Sequence, residues 1–157
     1  VRKENELLFI WPVVKKWQDK VDHWALCDCL SKIYSAILEL EPGKVYPVLT
    51  KWNKAGDPWK RRQSLVSLNY YSSARQSFLP FDQQVVLVKR LLTDDNYYVQ
   101  KGVGWTLREL GNIYATKTWN FLMENIAYIS PIAFAAAVEK INATKKEKLK
   151  RLRKAKT

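Results

Sequence analysis

Two short groups of residues combine charged and aromatic side chains at helical spacing. Trp24 and Asp28 are four residues apart, so they share one face if their segment is a helix. Lys101, Trp105 and Arg108 occupy positions i, i+4 and i+7 of another predicted helix. A carboxylate stabilises positive charge that develops in a reaction, and a desolvated aromatic face adds about 1–2 kcal/mol of cation–π attraction. These residue types therefore indicate a surface that binds anions around a group able to stabilise a cation.

A repeated pattern places these groups at related positions in successive helices. An Asp, a spacer and an aromatic residue occur together three times, beginning at Asp22, Asp57 and Asp95, with spacings of 35 and 38 residues. Asp is a favourable N-cap, Pro58 suits a first helical position, and the spacing is typical of helix-pair solenoids. The sixth residue after each Asp and the residue before it form one register: Asp28, Gln63 and Lys101, with Cys27, Arg62 and Gln100. The pattern predicts stacked helices that present a carboxylate beside basic groups.

Hydrophobic periodicity predicts helices along nearly the whole chain and no strand. The predicted helices cover 7–17, 22–40, 45–54, 59–71, 81–92, 96–114, 118–127 and 131–141. Residues expected to face inward include Leu26, Leu30, Ile33, Ile37 and Leu40 on the second helix, Val99, Val103, Leu107, Leu110 and Tyr114 on the 96–114 helix, and the tryptophans Trp11, Trp17, Trp52 and Trp119. We therefore expect an all-α fold built from antiparallel helix pairs.

The charge balance favours a polyanion as partner. The 157 residues suffice for one domain with its own core, and they include 27 Lys and Arg against 15 Asp and Glu, a net charge of +12. Segment 144–157 contains eight basic residues and one acidic residue, Glu147, and the remainder is basic without it. We expect a helical domain over 1–143 and a basic tail over 144–157 that is a solvated helix or frayed. A basic body is typical of proteins that bind nucleic acid.

Several classes of protein do not fit the sequence. No stretch approaches the roughly 20 apolar residues of a membrane span, and none resembles a signal peptide. Cys27, Cys29 and the single His23 do not form a zinc set, so no metal and no cofactor are predicted. Both cysteines are expected to be small core residues in a reducing, cytoplasmic environment.

Three phrases of the sequence, VDHWALCD, DPWKRRQSLVSL and NYYVQKGVGWTLREL, resemble bacterial DNA alkylation repair glycosylases of the AlkD type. The resemblance extends over about 7–141 and implies a right-handed solenoid of HEAT-like antiparallel helix pairs, an αα superhelix. It implies that Asp28 is the catalytic carboxylate, that Trp24 and Trp105 flank the deoxyribose of the damaged nucleotide, and that Arg62 lies in the DNA-facing groove. The family usually has further helices before residue 7, so the chain reads as part of a longer solenoid.

The same resemblance implies the partner and the remaining contacts. We expect double-stranded DNA containing alkylated bases to bind through the cations and aromatics of the groove: Arg62, Lys101, Arg108, Trp59 and Arg61. The lesion is expected to stay in the duplex, and the protein is expected to be a monomer in the bacterial cytoplasm, associated with the nucleoid. The apolar 130–137 segment departs from the family, whose closing helix often begins with a basic residue.

Cleavage of an N-glycosidic bond leaves positive charge on the sugar, and a carboxylate about 3 Å away stabilises that state and orients water. Because Asp28 is the single candidate carboxylate, no proton donor remains for a neutral leaving base. The expected substrates are therefore cationic alkylpurines such as N3-methyladenine and N7-methylguanine. Two alternatives remain open: a DNA-binding module without excision activity, and a protein-scaffold repeat. In a purely structural interpretation, Asp28 forms an interhelical salt bridge with an Arg, shielded by the Trp rings.

Overall fold

The computed structural model describes the backbone of residues 2–156 and the side chains of residues 6–156. This part of the chain is helical, with no strand, which confirms the predicted all-α fold and is consistent with an αα superhelix. The α-helices are α1 (Arg2–Val14), α2 (Trp24–Leu40), α3 (Pro42–Trp52), α4 (Pro58–Val66), α5 (Phe81–Arg90), α6 (Tyr97–Ile113), α7 (Ala115–Asn125), α8 (Pro131–Ala137) and α9 (Ala143–Lys156). Two 3-10 helices cover Lys15–Lys20 and Ser72–Ala74.

The N-terminal caps differ from the predicted ones in two of three helices. The cap at Asp57 is confirmed, because its carboxylate accepts a hydrogen bond from the backbone N–H of Trp59 at 2.9 Å. The N-cap of α2 is His23 instead of Asp22, and that of α6 is Asn96 instead of Asp95. Asn caps as well as Asp does, so composition could not distinguish the two neighbouring residues of the 95–96 pair.

The corrected caps change the register of the repeat. Counted from the true caps, the fifth residue of each helix is Asp28 on α2, Arg62 on α4 and Lys101 on α6. The predicted register instead paired Asp28 with Gln63, which is fully buried. The equivalent positions of the three stacked helices therefore carry one carboxylate and two cations.

Helices α2, α4, α6 and α8 contact one another in that order and form the layer that carries the site. The α6–α8 contact is close because residue 104 is glycine. A Cβ atom there would lie 2.3 Å from the carbonyl oxygen of Ala133 and 2.7 Å from the Cβ of Ala136. Any larger residue would therefore push α8 away from α6.

The core includes most of the predicted residues, with three corrections. Trp11 and Trp52 are buried and Trp119 packs against the core, but Trp17 is half exposed. Leu26 and Cys29 are also exposed, whereas Cys27 is buried. Since successive helical residues turn by 100°, positions 27 and 29 lie about 200° apart and cannot both face inward. The inward face of α2 instead runs through Cys27, Leu30, Tyr34 and Ile37.

The basic segment at the end of the chain forms a regular helix. Helix α9 buries Leu149 completely and contacts α7. Two of its lysines, Lys145 and Lys148, place their ammonium groups 5.4 and 5.9 Å from the centroid of the Trp119 ring. Within the described residues, no helix is long and apolar enough to cross a membrane.

Candidate functional site

One cavity of about 450 Å³ collects most of the predicted site residues. Its lining comprises Trp24, Asp28, Arg62, Tyr97, Tyr98, Lys101, Trp105, Arg108, Ala136 and Glu139. The three residues predicted to be catalytic are all present, and so are three of the five predicted DNA contacts. Trp59 and Arg61 do not line this cavity.

The carboxylate of Asp28 is held by an arginine from the neighbouring helix of the same layer, α4. Arg62 donates a hydrogen bond from Nη2 to Asp28 Oδ1 at 2.8 Å and another from Nη1 to the carbonyl oxygen of Tyr98 at 2.9 Å. The Arg62 side chain is 9% exposed and that of Asp28 is 29% exposed. The salt bridge expected from the structural interpretation is therefore present. It also fixes the direction of the carboxylate while leaving it open to the cavity.

A second ion pair lines the same cavity on its α6–α8 side. Arg108 donates a hydrogen bond from Nη1 to Oε2 of Glu139, which follows α8 and is 60% exposed. The same guanidinium lies 6.0 Å from the centroid of the Trp105 ring, and its Nε is 3.8 Å from Oε1 of Glu109. Glu139 corrects the expectation of a single carboxylate. No sequence pattern signalled it, because its position depends on the close α6–α8 contact.

The two tryptophans of the site differ in exposure, and an aromatic residue packs against one of them. Trp24 is 53% exposed and Trp105 is partly buried. Trp105 packs against Tyr70, with ring centroids 5.7 Å apart and planes inclined by 33°. Burial raises the pKa of Tyr70 to about 12, and the neighbouring Tyr71 and Asp28 add to this shift, so its hydroxyl stays neutral. Tyr71 has a φ of 49°, a strained left-handed conformation for a bulky residue.

Trp59 and Arg61, the two predicted DNA contacts that do not line the cavity, contact other residues. Trp59 packs behind the cavity wall against Tyr98, with ring centroids 5.0 Å apart. Arg61 forms an ion pair with Asp94 at 2.6 Å and donates hydrogen bonds to the carbonyl oxygens of Ala55 and Gly56. Adjacent arginines on α4 thus have different partners, and Arg61 braces the α3–α4 connection.

The lining combines three cations with two carboxylates. Among the described residues, Asp28 pairs with Arg62 and Glu139 pairs with Arg108, which leaves Lys101 as the cation of the lining without a carboxylate partner. His23 does not line the cavity, and no cluster of metal-ligating residues occurs in the part of the chain described. Burial raises the pKa of Cys27, beside Asp28, to about 12, so this thiol is protonated at neutral pH. The cavity can therefore present one oriented carboxylate, two indoles and a net positive charge.

An all-helical chain with this cavity suits a protein that acts on an anionic partner. The family model for DNA alkylation repair enzymes matches residues 1–141, so the chain belongs to the DNA alkylation repair enzyme family. Comparison with curated proteins and with solved structures found no match. Membership of this family gives the chain a role in the repair of alkylated DNA and implies that it binds DNA.

Proposed function

We propose that this protein is a DNA glycosylase that hydrolyses the N-glycosidic bond of cationic alkylated purines in duplex DNA. The observation that carries the proposal is the shared cavity of Asp28, Trp24 and Trp105, with Lys101 at its wall. These are the groups that the bond cleavage requires, and they come from two different helices. Their convergence in a member of an alkylation repair family favours catalysis over packing.

The reaction breaks the bond between C1′ of the deoxyribose and a ring nitrogen of the base. The bonding electrons leave with the base, so positive charge develops on the sugar. The Asp28 carboxylate stabilises this charge and accepts a proton from the water that attacks C1′. The indoles of Trp24 and Trp105 flank the sugar and add cation–π attraction.

Arg62 acts on this reaction through Asp28. Its hydrogen bond occupies Oδ1, and its second bond to Tyr98 anchors the guanidinium to α6. The carboxylate is therefore oriented before substrate binds, which reduces the reorganisation needed in the transition state. Arg62 also partly neutralises Asp28, so the carboxylate is better oriented but stabilises positive charge on the sugar less strongly.

The range of substrates depends on whether the cavity holds a group that can donate a proton to the leaving base. The second carboxylate, Glu139, accepts a hydrogen bond from Arg108 and is ion-paired, so as arranged it does not serve as a proton donor. A neutral base such as uracil or hypoxanthine leaves poorly without a donor. N3-methyladenine and N7-methylguanine are cations in DNA and depart as neutral bases, so they need no donor.

The proposal is tested by measuring the bases that the purified chain releases from methylated duplex DNA under single-turnover conditions. Asp28→Asn should lower the rate of excision by about 10²–10³-fold, because it removes the charge but little volume. Asp22→Asn is the matched control, since it makes the same chemical change on an exposed residue outside the cavity. Near-normal excision by Asp28→Asn would overturn the assignment.

Substrate range gives an independent test with defined duplexes. Oligonucleotides that contain uracil or hypoxanthine should remain uncleaved under conditions in which N7-methylguanine is released. Efficient release of uracil would instead reveal a general acid. Glu139→Gln would then show whether that acid is Glu139.

The Asp28–Arg62 ion pair favours a second candidate function, a DNA-binding module without excision. If Asp28 served only to hold α2 against α4, its removal would lower stability and the wild-type chain would release no base. Measuring turnover and the free energy of unfolding on the same samples separates the two functions.

A further inference from the structure

The connection between α4 and α5 contains a strained residue close to the candidate site. Among the described residues, Tyr71 is the only non-glycine residue with a positive φ, at 49°, and its side chain is 61% exposed. Glycine adopts this conformation without steric cost, whereas a bulky residue keeps it only where surrounding contacts enforce it. Strain of this kind is concentrated at functional sites. The contacts that enforce the strain therefore indicate what the connection positions.

A buried carboxylate of α6 supplies two of these contacts. Glu109 is 5% exposed, and its Oε2 accepts hydrogen bonds from the backbone N–H of Ser72, at 3.1 Å, and from the Ser72 hydroxyl. Ser72 is also buried and directly follows the strained residue. Hydrogen bonds to a charged acceptor are stronger than those between neutral groups. This contact, the Ser72–Glu109 clamp, fixes the connection to α6.

The other end of the connection is fixed to α2. The Glu39 carboxylate accepts hydrogen bonds from the backbone N–H groups of Gln76 and Ser77 at 2.7 and 2.9 Å. Arg75 donates a hydrogen bond to the carbonyl oxygen of Lys32 at 3.2 Å and lies 3.7 Å from Glu39. The connection is thus tied to two of the helices that carry the site, so relaxation of the strained residue would disturb these bonds.

Between these two attachments, the connection places an aromatic ring against the site. Tyr70 is half-buried and packs against the Trp105 indole, with ring centroids 5.7 Å apart and planes inclined by 33°. The Tyr71 ring packs edge-on against Tyr70, with centroids 4.7 Å apart. Trp105 and Glu109 are four residues apart on α6, so one face of this helix carries both the indole and the acceptor of the clamp.

We propose that Tyr70 positions Trp105 for the reaction and that the Ser72–Glu109 clamp holds Tyr70 in place. Tyr70 does not line the cavity, so it acts through the indole and does not touch the sugar. A stacked ring restricts the rotation of the indole, and reacting groups held in one geometry react faster than groups that must first find it. Tyr70 is therefore a positioning residue, and this role rests on the proposed glycosylase function.

Single-turnover excision of N7-methylguanine distinguishes the Tyr70 ring from its hydroxyl. Tyr70→Leu should lower the rate of excision about tenfold and leave the affinity for duplex unchanged, because the indole is displaced but no charge is lost. Tyr70→Phe keeps the ring and should excise at the wild-type rate. Tyr128→Leu, the same change at an exposed tyrosine outside the site, is the matched control. Equal rates in the Leu and Phe variants would overturn the proposal.

Fluorine NMR of the chain labelled with 5-fluorotryptophan observes the indole without catalysis. The chain contains seven tryptophans, and the resonance of Trp105 is the one that is lost in Trp105→Phe. In Tyr70→Leu this resonance should shift or broaden, whereas in Tyr70→Phe it should stay in place. Dispersed positions of the other resonances show that the fold is intact. A Trp105 resonance that is unchanged in Tyr70→Leu would overturn the proposal.

Ser72→Ala tests the clamp without changing an aromatic ring. It removes the hydroxyl donor and keeps the backbone N–H, so the Trp105 resonance should broaden and the rate of excision should fall less than in Tyr70→Leu. Ser73→Ala, at the next serine along the chain, which is exposed, is the control. Identical spectra and rates of the two serine variants would contradict the clamp.

Failure of the proposed function is distinguishable from failure of the positioning role. If the wild-type chain releases no base while Tyr70→Leu still shifts the Trp105 resonance, the glycosylase function fails and the contact is purely structural. If wild type and Tyr70→Leu excise N7-methylguanine at the same rate, the glycosylase function stands and only the positioning role is overturned.

Discussion

Two ion pairs of the same type line the candidate site, and they differ in how firmly they are held. Arg62 and Asp28 are 9% and 29% exposed, and Arg62 has a second anchor on the backbone of Tyr98. Arg108 and Glu139 are 17% and 60% exposed, and Glu139 follows the short helix α8. A pair in which both members are mostly buried resists rearrangement, whereas a pair with one exposed member, here Glu139, contributes less and exchanges more readily. We infer that the first pair sets geometry and the second can yield to a phosphate.

The two ion pairs should differ most in how much they contribute to the free energy of unfolding. Arg62→Ala leaves Asp28 without its partner and removes the bond that anchors α4 to the carbonyl oxygen of Tyr98, and we expect a loss of about 2–3 kcal/mol in the free energy of unfolding. Glu139→Gln should cost under about 0.5 kcal/mol. Urea unfolding followed by circular dichroism measures both. Equal losses would contradict the distinction between the pairs.

The Arg108–Glu139 pair should affect the affinity for DNA. Glu139→Gln removes a negative charge from the cavity and releases Arg108, so we expect tighter binding to any duplex and a salt dependence steeper by about one unit. Glu124→Gln, an exposed glutamate of α7 outside the site, is the control. Fluorescence anisotropy over a series of salt concentrations gives the slope. Weaker binding of the Glu139 variant would mean that Glu139 itself orients the DNA contact.

Lys101, the cation of this cavity that has no carboxylate partner among the described residues, should affect DNA binding through its charge alone. Lys101→Ala should weaken binding to all duplexes and reduce the salt slope by about one unit. Arg108→Ala should change the slope less, because Glu139 already neutralises this arginine in the free protein. Lys44→Ala, at an exposed residue of α3, serves as the control. A change in sequence preference at constant slope would indicate contact with bases instead of phosphates.

The smallest effect concerns the cysteines on either side of Asp28. Cys29 should react with iodoacetamide in the folded protein, whereas Cys27 should react only after unfolding, and Arg62→Ala should speed the reaction of Cys27.

Burial raises the Cys27 pKa from 9.0 to about 12, so the unfolded state loses this proton first. Stability from this group is therefore complete below pH 9 and declines as the pH rises towards 12. Unfolding measured at alkaline pH checks this decline, and mass spectrometry of labelled peptides checks the reactivity of the two cysteines.

Much of the site could be predicted, because its two faces are local. Trp24 with Asp28, and Lys101 with Trp105 and Arg108, share faces of single helices, and residues so close in sequence are placed by helical geometry alone. The caps were harder, since an Asp and its neighbour compete for the same role. The error of one residue displaced Arg62 from the predicted register, and only the family resemblance recovered it.

The sequence by itself determined the helices, their charged faces and the membership of the alkylation repair family. Only the tertiary structure decided the partners of each charge: Arg62 meets Asp28 from 34 residues away, Arg108 meets Glu139 across 31, and Arg61 turns to Asp94 instead. Helical periodicity depends on hydrogen bonds between residues four apart and is visible in the chain. Ion pairs between helices depend on how the layers stack, which the packing of α2, α4, α6 and α8 settles as a whole.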